Sequence, residues 1–197
     1  MSGKRFAVLL CAEDSEYVKK RYGGYFGVFV NLLGGEEEEI WDVYSVVVGE
    51  FPKEEDISLY DGFVISGRAA SGWDLGVTTI NLSASKLNAS LQIPSTLSVI
   101  ECHRDEVVEL PPSAQVIASS GKTRIEMFIC GDHIMGMQGH PEYTKDILHH
   151  LLDRLLQRNL IQESQAELAR ASIEAHEPDR EAWKKVCKGF LKGQLIL

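Results

Sequence analysis

No stretch of the sequence is apolar for long enough to cross a bilayer, and the run near its start, Phe6 to Cys11, is too brief even for a signal-peptide core. A cytosolic protein without membrane association is expected. Cysteine is scarce and dispersed at positions 11, 102, 130 and 187. With no C-x-x-C pair among them, neither a metal knuckle nor a redox dithiol is expected, and all four read as free thiols. Positive charge is in deficit: 20 Lys and Arg stand against 29 Asp and Glu, giving a net charge of -9 that repels nucleic-acid phosphates and anionic surfaces. A nucleic-acid partner is thereby excluded from expectation. Repeats, heptads and low-complexity tracts are also lacking, which removes solenoids and coiled coils.

What remains is 197 residues, 44% hydrophobic and 25% charged, enough for one sizeable core and read as a single domain over 1–197. Phe6 to Cys11 has the continuous apolar character of a strand buried on both faces, and Asp14-Ser15 after it marks a helix start. Tyr25-Phe26, Val28-Phe29 and Leu32-Leu33 recur at helical spacing before Gly34-Gly35 ends the segment. Ile40 to Val48 reads as a second strand, and Leu59 to Gly67 as a third that ends in a glycine turn. Val77–Leu82, Leu97–Cys102, Gln115–Ser119, Glu126–Cys130 and Ile134–Gln138 then look like short antiparallel or mixed strands. From Thr144 the pattern turns helical, with Ile147, Leu148, Leu151, Leu152, Leu155 and Leu156 on one stripe; further helices are expected over Ile161–Ala175 and Asp179–Leu191. The layout is α/β, with a site expected at the carboxyl ends of strands.

The most specific local feature is Gln138-Gly139-His140-Pro141-Glu142-Tyr143, between an expected strand and an expected helix. His140 suits proton transfer near neutral pH, and Glu142 suits holding its ring in one tautomer. A plainer reading, in which His140 bonds a loop and Glu142 serves a helix start, has about even odds on local grounds. In Ile100-Glu101-Cys102-His103-Arg104-Asp105-Glu106-Val107 a strand ends in a dense charged turn, which reads more readily as a solvated loop than as a site. Cys102 beside His103 is no nucleophile and base, because adjacent strand residues face opposite sides. A nucleophile elbow, a cysteine or serine on a tight strand-to-helix turn between small residues, is absent.

Taken in order, Tyr22-Gly23-Gly24-Tyr25-Phe26, Tyr60 to Gly67, Gly72-Trp73-Asp74-Leu75-Gly76, Cys102 to Val107, Gln138 to Tyr143 and the tail from Pro178-Asp179-Arg180 to Gly193 resemble the class I glutamine amidotransferase-like proteins, and most closely the plant gamma-glutamyl peptidases. The resemblance implies a three-layer, flavodoxin-like mixed sheet and a Cys-His-Glu triad. It further implies hydrolysis of the gamma-glutamyl amide of glutathione or its conjugates in the plant cytosol, on routes that include glucosinolate synthesis. His140 would be the general base and Glu142 its partner, with no cofactor or metal. Gly67 would supply an oxyanion donor, and His103, Arg104 and Asp105 would border the substrate pocket.

One departure is large. In that family the Ile-Ser-Gly turn leads through a helix to the strand that bears the nucleophilic cysteine, whereas Gly67 here runs through Arg68-Ala69-Ala70-Ser71 directly into the Gly72-Trp73 segment. An internal deletion near 67–68, removing a central strand with its helices, is expected. Three outcomes follow from it: an inactive relative of a gamma-glutamyl peptidase, a binding or regulatory pseudoenzyme, or a non-functional splice product. The oligomeric state is not implied by any of these motifs.

Overall fold

β1 (Lys4–Leu10) places Phe6, Ala7 and Val8 wholly out of solvent. Burial of this kind stabilises by about 1.5–3 kcal/mol for each large side chain. The computed structural model describes residues 3–35, 38–66, 73–83, 85–104 and 106–195. Within them the chain divides into two compact units. One comprises Met1–Arg68 with Cys187–Gln194, and the other Ala69–Val186 with Leu195–Leu197.

In the first unit β1 is flanked by β2 (Glu39–Ser45) and β3 (Gly62–Ser66), all parallel, in the order β2-β1-β3. Parallel neighbours need crossovers, and α1 (Glu16–Tyr22) and α2 (Gly24–Leu33) supply the first. α1 begins where the sequence indicates: the Ser15 side chain accepts from the Val18 amide at 3.2 Å. α2 sinks Tyr25, Val28, Phe29, Leu32 and Leu33 of the expected stripe, while Phe26 is only half-buried. On its outer edge β3 has no ladder partner among the described residues, and Ile65 there is 68% exposed.

The second unit is an antiparallel five-stranded sheet in the order β5-β4-β6-β7-β8, formed by β4 (Asp74–Leu82), β5 (Thr96–His103), β6 (Ala114–Ser119), β7 (Met127–Cys130) and β8 (Ile134–Met137). Parallel and antiparallel strands therefore form two sheets among the described residues. α3 (Ser85–Leu91) links β4 to β5, and α4 (Lys145–Gln157) and α5 (Glu163–Ala175) follow the sheet. α5 lies against β4, where Gly76 (φ 122°) leaves the space that Ser172 fills; the Ser172 hydroxyl accepts from the Val77 amide at 3.0 Å and donates to Ala169.

α6 (Arg180–Leu191) gives its first residues to the second unit and its last to the first. Asp179 starts it by accepting from the Ser98 amide on β5 at 2.7 Å. Trp183, fully buried, donates its indole N–H to the Ser98 carbonyl at 2.9 Å and joins Leu97, Val99, Met127 and Ile129 in the core. At the other end Lys188 donates to the Gly34 carbonyl and Lys192 pairs with Glu39. No described helix is long and apolar enough to cross a membrane.

Candidate active site

β8 ends at Met137, and the next seven residues form the loop that leads to α4. That loop is pinned at each step. The Gln138 amide donates to Glu126 at 2.9 Å; its side chain donates to the Ile125 carbonyl and accepts from the Val107 amide, both at 2.8 Å. The His140 amide donates to the Ile100 carbonyl of β5 at 2.7 Å, which fixes the imidazole at the edge of the sheet. Gly139 is required between them, because a side chain there would stand about 2.6 Å from Glu101 Oε1.

So held, His140 Nδ1 lies 2.8 Å from Glu142 Oε1, and the imidazole stacks on Tyr143 with centroids 4.1 Å apart and planes 3° from parallel. Glu142 is nearly closed to solvent, while a fifth of the His140 side chain remains open. The Glu142 carbonyl also receives a long contact from Arg180 at 3.4 Å. With Nδ1 facing a carboxylate, the ring is directed to carry its proton there. Nε2 is then left as the proton acceptor, the arrangement a general base needs.

The other site residues named from sequence have different placements. His103 closes β5, mostly buried, with Nε2 3.0 Å from Glu101 Oε2. Arg104 lies beyond the strand and is exposed. Gly67 and Asp105, and the Gly67-Arg68 junction, lie outside the described residues. Cys102 stands between Glu101 and His103 on β5 and so faces the opposite side of the sheet from both. Cys130, its sulfur 3.0 Å from the Ser113 hydroxyl, pairs with Ile134 at the end of the β7-β8 hairpin remote from Gln138.

Sequence reasoning missed a second group of polar residues. Glu101 and Glu126 are both fully buried, and with His103 they place one ligand atom each within 4.8 Å of one another. Burial, opposed by His103, pushes the Glu101 carboxyl up. Burial and then the Glu101 charge push Glu126 up to about 7, with the Ser120 hydroxyl and His103 opposing. The available signal was an acid at position 101 inside a strand otherwise built from Leu97, Val99 and Ile100.

Gamma-glutamyl peptidase 3 of Arabidopsis thaliana is 40% identical to this chain over 243 residues, spanning 96% of the chain and 97% of its own length. The chain belongs to the gamma-glutamyl peptidase family. Gamma-glutamyl peptidase 5 of the same plant is 38% identical, with 97% and 96% covered. No protein-family model matches the chain. The family member's fold is that of the glutamine amidotransferases. A Methylobacillus flagellatus glutamine amidotransferase superposes with a TM-score of 0.67 at 14% identity, over 98% of this chain and 96% of that one. A Thermotoga maritima glutamine amidotransferase does so at 0.62 and 17%, over 98% and 97%. The expected mixed α/β architecture is thus borne out, and the order β2-β1-β3 is the one expected at the start of a flavodoxin-like sheet.

Proposed function

We propose that this family member is a gamma-glutamyl hydrolase-like protein that keeps the general base and its carboxylate but does not turn over glutathione or its conjugates. The observation that carries the reading is the formed His140-Glu142 pair in a chain whose sequence offers no cysteine on an elbow between small residues. A base without its attacking thiolate retains only residual catalysis, and removing the nucleophile from such a triad costs on the order of 10⁶ in turnover. The ligand proposed is a small gamma-glutamyl compound in the cytosol, with no cofactor for the hydrolysis.

The same reading includes the loss of an internal segment near Gly67-Arg68. Supporting it, the alignments with gamma-glutamyl peptidases 3 and 5 run over 243 residues, more than the 197 this chain contains. The edge of β3 that lacks a ladder partner among the described residues also fits the removal of a neighbouring strand.

The deciding experiment is a glutamate-release assay on glutathione and an S-conjugate, with circular dichroism melting of the same preparation. A cooperative transition without glutamate release is the expected result; release that iodoacetamide abolishes overturns it.

A further inference from the structure

β5 turns Glu101 and His103 to the same side of the sheet, two residues apart, and the stretch entering β7 brings Glu126 to them. Glu101 and Glu126 are wholly inaccessible, and none of their four carboxyl oxygens has an aligned hydrogen bond among the described residues. Two buried carboxylates that share a pocket with only the His103 Nε2, 3.0 Å from Glu101 Oε2, and the Ser120 hydroxyl to oppose them demand further positive charge or bound protons. Asp74, in register with His103 on the neighbouring β4, adds a third carboxylate, and its Oδ1 is matched by Lys122 at 2.7 Å. Its Oδ2 is buried without an aligned hydrogen bond among the described residues, and the Asp74 charge adds to the repulsion at Glu101 and Glu126. Glu101 and Glu126 keep two formal negative charges when ionised, against the imidazole of His103 and, for Glu101, that of His140.

We propose that Glu101, His103 and Glu126 form a site for one divalent first-row transition cation, bound by two carboxylates and one imidazole nitrogen. The donor set suits manganese, iron or zinc, since oxygen and imidazole ligands serve all three. Ligand bonds of about 2.0–2.2 Å span an ion from atoms roughly 3–4 Å apart, so drawing in atoms now within 4.8 Å takes a small swing of the glutamate ends. Three protein ligands leave further positions for water or an exogenous group, and the 15% of the His103 side chain open to solvent marks the approach. Each ligand must be deprotonated to bind, so affinity rises with pH. The site lies within the second unit, requires no nucleophilic cysteine, and is independent of the hydrolase reading. Glutamate release would sink that reading and leave this one standing.

Manganese is the probe of choice, because the four cysteine thiols, none in a disulfide, compete for it less than for zinc. The full chain, stripped with chelator, is titrated with Mn²⁺ while the resonance of the free aquated ion is followed by electron paramagnetic resonance. One equivalent should be withdrawn from the free signal, and Glu126→Gln and His103→Asn should each weaken binding by about tenfold or more. Thermal melting supplies a second measurement that needs no variant: Mn²⁺ should raise the midpoint of the unsubstituted chain, more at pH 8 than at pH 6. Two results overturn the site. One is a withdrawal equal in the chain and both variants. The other is a midpoint insensitive to Mn²⁺, which leaves a carboxyl pair sharing a proton.

Discussion

His140 and Glu142 meet at 2.8 Å across a single proline, so the base and its partner come from one turn of chain. Their pairing is local, while the backbone bonds to Ile100 and Glu126 hold the turn in place. The pair forms in a chain whose sequence offers no cysteine on an elbow between small residues, and its energetic role can be measured by stability alone. Glu142→Ala should cost about 1–3 kcal/mol in urea unfolding, since it leaves a largely buried ring N–H without an acceptor. Glu142→Gln, which keeps an acceptor oxygen, should cost less, and the His140 Nδ1 proton resonance should persist in it and vanish in the alanine variant.

Glu126 and Glu101 give the metal-free protein an unusual pH response. Both hold protons more tightly folded than unfolded, so the folded state binds more protons between roughly pH 4.5 and 7. The Glu126 contribution to stability then falls as pH rises through that window, and Glu101 acts in the same direction. Urea midpoints should drop from pH 5 to pH 8, by on the order of 2 kcal/mol for Glu126 alone. Glu126→Gln should flatten the slope.

Gly76→Ala should destabilise by more than about 1 kcal/mol, because φ of 122° is strained for any side chain and Ser172 already occupies the space. Pairing it with Ser172→Ala should recover only part of the loss. The backbone strain remains, and a double-mutant cycle in thermal melts would separate the two terms.

Trp183→Phe should be among the costlier core substitutions, in the range of about 2–4 kcal/mol. It forfeits volume at a site with no solvent access and leaves the Ser98 carbonyl without the indole donor. Tryptophan fluorescence is not needed to see it; guanidinium midpoints suffice.

Much of this architecture could be read in advance, for reasons that differ from element to element. β1 was evident because a strand buried on both faces needs an unbroken apolar run, and α4 because Ile147, Leu148, Leu151, Leu152 and Leu155 repeat at helical spacing and all become buried. Ile40 to Val48 read as one strand, yet the ladder stops at Ser45. Val46–Val48 coil into a 3-10 turn that Gly49 closes in the left-handed region, a backbone choice its three valines do not advertise. α3 escaped notice: in Ser85–Leu91 the only apolar side chains of any size are Leu87 and Leu91, too few to define a stripe. At the site, the motif around His140 is contiguous and hence legible. From sequence Glu101 reads as part of a solvated turn, because burial of an acid depends on Glu126 and His103, which only tertiary pairing delivers.

The margin of β3, without a ladder partner among the described residues and with Ile65 turned to water, links the protein's fate to its abundance. Edge-to-edge joining of two molecules is a second-order event, so its rate grows with the square of concentration. A sparse copy stays dispersed under conditions in which an overproduced one precipitates, and yield from strong expression is a poor guide to how the molecule behaves when rare.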